Sequence, residues 1–107
     1  MNLQESIRRI LREETKIPST LRRRMKELPK YMRGTYRFLN VNSFNNFDDF
    51  VERVIFSTTR DLVSDFGSND YETNLEIRDE LIPHISNIIY NDYLDEIKDY
   101  YDKELFR

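Results

Sequence analysis

Cysteine, tryptophan and alanine are absent from this 107-residue chain, and glycine and proline occur only twice and three times. Without cysteine there is no disulfide, no thiolate nucleophile and no cysteine-ligated zinc. Two glycines, Gly34 and Gly67, cannot build a glycine-rich phosphate loop. The one histidine, His84, follows Pro83 with no nucleophile motif around it and reads as a capping or surface residue. Long apolar runs are missing as well. The longest, Val54-Ile55-Phe56 and Ile88-Ile89-Tyr90, have three residues each, against the ~20 that a membrane-spanning helix needs. Arg8, Arg9 and Arg12 break the opening where an export signal would be apolar, and Glu5, Glu13 and Glu14 argue against an organelle transit peptide. The expectation is a chain with no membrane partner, located in the cytoplasm.

What remains is enough for one modest core. Seven Phe, seven Tyr and ten Ile supply its bulk, and a chain of this size buries about two-thirds of its unfolded surface. Arginine outnumbers lysine twelve to five. Guanidinium groups suit planar, bidentate contacts to carboxylates and phosphates, which an ammonium makes only as a point charge.

Charge is divided along the chain. Residues 1–37 carry eleven Lys or Arg and four Glu, a net of +7, whereas residues 38–107 carry six Lys or Arg and sixteen Asp or Glu, a net of −10. Two readings of this split compete. In one, the basic segment folds back on the acidic helices of its own chain. In the other, it projects toward an acidic partner or toward phosphates.

The apolar spacing is helical almost throughout. Leu3, Ile7, Ile10 and Leu11 fall at i, i+4, i+7 and i+8, which predicts an amphipathic helix from Asn2 to about Thr15. Ile17 and Pro18 end it. A short helix from Leu21 to Leu28 follows, closed by Pro29 and ringed by Arg22, Arg23, Arg24 and Lys26. Gly34 reads as a turn, Tyr36 to Val41 is ambiguous between helix and extended chain, and Asn40 to Asn46 reads as a loop. A long helix runs from Ser43 or Asn45 to Phe66, with Asp48 and Asp49 in its first turn and Gly67 at C′. Phe56 and Val63, seven residues apart, fall opposite its main apolar side. They either pack on another helix or form an exposed partner patch. Ser68, Asn69 and Asp70 offer caps for a helix from Tyr71 to Ile82, and Pro83 kinks the chain or starts a last helix ending near Leu105. That last helix divides cleanly, with Ile89, Tyr90, Tyr93, Leu94, Ile97, Tyr100 and Tyr101 on one side and Asp92, Asp95, Glu96, Asp99 and Asp102 on the other.

None of these residues forms a catalytic or metal-ligand pattern. The acidic stripe of the last helix lacks converging ligands from a second element and reads as a solvated face. Ser57, Thr58 and Thr59 lie inside a helix, not on a strained elbow. For nucleic acid, Tyr31 and Tyr36 interleave with the basic residues as candidate stacking groups, but the acidic body would repel phosphates.

The opening Leu3-Gln4-Glu5-Ser6-Ile7-Arg8-Arg9-Ile10-Leu11-Arg12-Glu13-Glu14, with Ile17-Pro18 and Leu21-Arg22-Arg23-Arg24, resembles the start of many small proteins of tailed marine bacteriophages. The resemblance covers about the first quarter of the chain. The opening is also similar to amphipathic capsid-targeting peptides of tailed phages, which are removed after a hydrophobic-x-Glu sequence such as Leu11-Arg12-Glu13. The resemblance implies a phage accessory or structural protein, in the host cytoplasm or the virion.

These observations predict an all-α bundle of four or five helices, with a basic helical arm over 1–37 and an acidic core domain over 38–107. The expected role is a non-enzymatic interaction or assembly module without cofactor or metal. Its expected partner-binding residues are Leu3, Ile7, Ile10 and Leu11 for apolar contact and Arg8, Arg12, Arg22, Arg23 and Arg24 for charge, with Phe56 and Val63 as a second patch. The partner is a protein or a second copy of the chain; the alternative is nucleic acid, gripped by its phosphate backbone.

Overall fold

A computed structural model describes residues 17–106. The expected helix at 2–15, and with it Leu3, Ile7, Arg8, Ile10, Leu11 and Arg12, lies outside the described residues. The described chain is all-α, with no strand. Its helices are α1 (Ser19–Arg24), α2 (Leu28–Phe38), α3 (Phe47–Phe66), α4 (Tyr71–Ile88) and α5 (Leu94–Leu105). A 3₁₀ turn, Met25–Glu27, joins α1 to α2, and a π-helical turn, Ile89–Tyr93, joins α4 to α5. The expected four or five separate helices are therefore three continuous rods among the described residues, over 19–38, 47–66 and 71–105.

Of the prolines expected to end or kink helices, Pro29 and Pro83 lie within continuous helices. Pro29 sits in the first turn of α2, where its missing N–H leaves no bond unmade. Gly34, expected at a turn, lies inside α2, which buries Leu28, Met32, Thr35 and Tyr36 at i, i+4, i+7 and i+8. Pro83 lies inside α4 on its exposed side, where the rod can bend away from the core around the lost hydrogen bond.

The middle rod is the centre of the molecule. Asn46 caps α3 by accepting the Asp49 N–H at 2.9 Å, and Asp48 and Asp49 occupy the first turn, where the helix dipole favours anions. α3 is buried around more than one side, from Phe50 and Val51 through Val54, Thr58 and Leu62 to Val63, because α1 and α2 cover one flank and α4 the other. Its end differs from the expected left-handed cap. Gly67 has φ −80° and ψ −152°, so positive φ is not what requires glycine here. Close approach is: a Cβ would lie 2.4 Å from the Val63 carbonyl oxygen and 2.7 Å from Asn74 Oδ1. The Asn74 side chain accepts from the Ser68 N–H and donates to the Ser68 carbonyl, which pins the chain between the rods. Asp70 then caps α4 through the Thr73 N–H and hydroxyl, and these bonds hold its carboxyl below the usual range, the hydroxyl bond foremost.

Along the third rod the buried residues recur every four positions: Ile77, Leu81, Ile85 and Ile89, then Ile97 and Tyr101. In an ideal helix such a row drifts by about 40° per step. The wider turn at Ile89–Tyr93 unwinds the rod midway and brings Ile97 and Tyr101 back to the core. Tyr101 meets Phe47 and Phe50 at 5.2 and 5.3 Å between ring centroids.

The described part of the basic segment is one wall of this core. Ile17, Leu21, Leu28, Met32 and Tyr36 are buried together with Val54 and Ile77. Position 37 lies in the last turn of α2, so the division expected after it runs through a helix.

Candidate protein-interaction surfaces

Two surfaces follow from this packing, one basic and one apolar with an acidic edge. The basic one is the outer side of the first rod. With Leu21, Leu28 and Met32 turned inward, Arg22, Arg23, Arg24, Lys26, Lys30 and Arg37 are left exposed. Lys26, Lys30 and Arg37, spaced by four and seven, share one side of the rod. Folding occupies part of this charge. Arg24 reaches Glu27 at 3.1 Å and lies over the Phe66 ring at 5.3 Å. Arg33 makes a two-pronged bond with Glu96, Nε to Oε2 at 3.0 Å and Nη2 to Oε1 at 2.9 Å. The Tyr36 hydroxyl donates to the same Oε2 at 2.9 Å. The Arg33 hydrogen bonds hold the Glu96 carboxyl below its ordinary range, aided by Tyr36 and opposed by burial. Arg23, Lys26, Lys30 and Arg37 have no acid within ion-pair distance among the described residues.

Both tyrosines expected to stack on bases are committed elsewhere. Tyr36 is buried. Tyr31 donates to Asp65, a bond that pushes its hydroxyl up to about 12, and its ring meets Phe66 edge-on at 5.9 Å.

The second surface is a groove of about 340 Å³ between α3 and α4, lined by Glu52, Ile55, Phe56, Ile82, Ser86 and Tyr90. Phe56 is partly exposed here, under the guanidiniums of Arg78 at 5.1 Å and Arg53 at 5.9 Å. Tyr90 is 41% exposed. Burial raises its hydroxyl pKa, as do the nearby charges of Asp48 and Glu52. Val63, expected beside Phe56 in a partner patch, is only 1% exposed and belongs to the core. The reading in which that pair packs on another helix holds for Val63. Only Phe56 remains on a surface. Tyr90 and Ile82 were missed as surface partners of Phe56, because the spacing of one helix cannot tell which residues a second helix brings alongside.

The residues weighed for chemistry are placed as follows. Ser57, Thr58 and Thr59 are buried in α3, and the Thr59 hydroxyl donates to the Ile55 carbonyl at 2.8 Å. His84 is exposed beside Ile17, Arg22, Met25 and Leu81. Of the acidic stripe, Glu96 is bound by Arg33, while Asp92 and Asp95 face outward. Among the described residues no three His, Asp or Glu side chains converge to hold a metal ion, and no helix is long and apolar enough to cross a membrane. Compared with protein-family models, curated proteins and solved structures, the chain matches none of them.

Proposed function

We propose that this chain is a non-enzymatic interaction or assembly module, a phage accessory or structural protein of the host cytoplasm or virion, that docks through its basic N-terminal segment on an acidic protein partner. One observation carries the reading. The first rod spends its apolar side on the core and still presents Arg23, Lys26, Lys30 and Arg37 outward, with no acid of the described chain within ion-pair distance. A cationic surface of this kind steers an anionic partner and fixes its register. In the sequence, Leu3, Ile7, Ile10 and Leu11 recur at helical intervals among Arg8 and Arg12, and in this reading that opening adds an apolar anchor to the charge.

The same cations fit a nucleic-acid backbone, which is the second reading. It is weakened by Tyr31 and Tyr36, whose rings are occupied by Phe66 and by the core. Phosphate binding without stacking would be electrostatic and steeply salt-dependent.

The test compares polyglutamate with duplex DNA as ligands for the full chain and for the triple variant Arg23→Glu, Lys26→Glu, Lys30→Glu, all exposed positions. The protein-docking reading expects polyglutamate binding that the triple variant loses. Preference for DNA moves the assignment to the second reading, and indifference to both polyanions removes the docking role.

A further inference from the structure

We infer that this chain pairs with a second copy of itself through the hollow between α2 and α3, each copy seating its Phe38 ring in the hollow of the other. The contact is separate from the docking role proposed above and uses an adjoining side of the first rod.

Knob and hollow lie side by side. Phe38, the last residue of α2, is 92% exposed, the most exposed large apolar side chain among the described residues. Beside it a hollow of about 370 Å³ opens between α2 and α3, with Tyr31, Gly34 and Leu39 on one side and Arg60 and Asp61 on the other. Tyr31, Gly34 and Phe38, spaced by three and four, share one side of α2. Gly34 keeps the hollow open, since nothing lies within 4 Å of where its Cβ would stand. Glycine is disfavoured against alanine inside a helix, yet here it leaves room for a ring to lie close to the backbone. A single exposed apolar side chain is ordinary on a protein surface, but this one stands at the rim of an unfilled hollow.

Shape and charge both identify the occupant as a second copy. A two-fold contact sets one patch against itself, so the patch must carry both halves of every match. In shape it does, having a ring and a hollow. A two-fold axis perpendicular to α2 at the level of residue 36 lays the two α2 helices antiparallel and brings each Phe38 level with the other copy's Gly34. In charge it does as well. Arg60 and Asp61 pair at 3.4 Å on the rim, so opposite charges balance there, and the Arg60 guanidinium suits the face of an entering ring. The outer side of the rod, where Arg23, Lys26, Lys30 and Arg37 are all positive, would instead repel its own copy.

The face is also large enough. The first rod, over 19–38, and α3 each span 20 residues, about 30 Å at 1.5 Å per residue. Packed side by side at ~10 Å, two helices make a face roughly 20 Å wide. The flat footprint is about 600 Å², close to the ~800 Å² of accessible surface that each partner of a stable complex buries. A contact of this symmetry closes at two copies and does not propagate.

The experiment is equilibrium sedimentation of the full chain from micromolar to millimolar concentration. Four samples are compared: the unaltered chain, Phe38→Ala, Gly34→Leu, and an equimolar mixture of the two variants. Phe38 is exposed and Gly34 has open space around it, so both variants keep the fold, which denaturant melts at micromolar concentration verify. The expected result is a monomer–dimer equilibrium, weakened about a hundredfold by Phe38→Ala, because two rings per dimer lose their burial. Gly34→Leu, which fills the hollow, weakens it about tenfold or more. In the mixture, the ring of the Gly34→Leu copy enters the open hollow of the Phe38→Ala copy, and a mixed dimer forms about tenfold tighter than either variant alone. A monomer at millimolar concentration overturns the inference, as does association indifferent to both substitutions, growth beyond two copies, or a mixture no tighter than its parts. Arg23, Lys26 and Lys30 are unaltered in every sample, so the polyglutamate test reads the docking role independently.

Discussion

Replacing Glu96 by Gln keeps the shape of the side chain and removes its charge, and so isolates what ties the basic rod to the acidic one. Three hydrogen bonds converge on this carboxylate: two from Arg33, at 3.0 and 2.9 Å, and one from Tyr36 at 2.9 Å. The Arg33 and Glu96 side chains are 43% and 34% exposed, so solvent screens the pair, and an ordinary exposed ion pair contributes only ~0–1 kcal/mol. Two-pronged geometry and the bond from a buried tyrosine raise that figure. We expect Glu96→Gln to cost about 1–2 kcal/mol, a Tm lower by roughly 5–10 °C for a domain of this size. A double-mutant cycle with Arg33→Met separates the pairwise part from the Tyr36 bond. The pH dependence has a definite sign. Glu96 is held below its ordinary range by the Arg33 bonds, whereas in the unfolded chain a glutamate ionises near ~4.3. As acid is added the unfolded state therefore takes up its proton first. The contribution is complete above ~4.3 and drains away as the pH falls through the lower folded value. Denaturant melts from pH 7 down to pH 3 should show a steeper acid loss for the unaltered chain than for Glu96→Gln. Equal stability at neutral pH, or parallel pH profiles, would refute the reasoning.

Leu21 lies in the basic segment yet is 0% exposed, so Leu21→Ala should cost about 2–5 kcal/mol in a denaturant melt. A loss under ~0.5 kcal/mol, the usual range for surface changes, would mean that this rod is not part of the core. The two glycines should respond with opposite signs. Nothing lies within 4 Å of a Cβ built on Gly34 inside α2, so Gly34→Ala should stabilise by about 0.5–1 kcal/mol. Gly67→Ala, whose Cβ would meet the Val63 carbonyl, should destabilise by about 1–3 kcal/mol; the same melts read both.

The periodic parts of the structure were legible because burial and helical spacing report the same thing. Phe50, Val54, Leu62, Ile97 and Tyr101 lie inside where the wheel places them, and the asparagine-rich loop and the Asp70 cap stand close to where turn chemistry puts them. The breaks were less legible, since proline acts differently by position. Pro29 and Pro83 each sit where no hydrogen bond inside the core is lost, one in a first turn and one on a solvent side, and neither separates two helices. Gly34 misled for a related reason: glycine is permitted in a turn but does not demand one, and the buried Leu28, Met32 and Tyr36 hold the helix through it. The site divided along the same line. Which residues are basic is written in the chain, but that Phe56 would share a groove with Ile82 and Tyr90 depends on a contact between elements about thirty residues apart, which no local pattern encodes.

That distinction bears on the charge split. A segment of net +7 attached to one of net −10 could have neutralised itself on folding. Doing so would require the cations to face the acids across the rod interfaces, and those interfaces are taken by Leu21, Leu28, Met32, Val54 and Ile77. Of the described basic residues, Arg33 reaches across to the third rod, because Tyr36 beside it carries the polar edge of the interface to Glu96. Asp92 and Asp95, one turn and less from Glu96, point outward instead. Apolar burial thus sets the orientation of the rods first, and the charges go where that orientation leaves them. A division that began along the chain becomes a division across the surface, with cations on the outer side of the first rod and carboxylates at the edge of the α3–α4 groove.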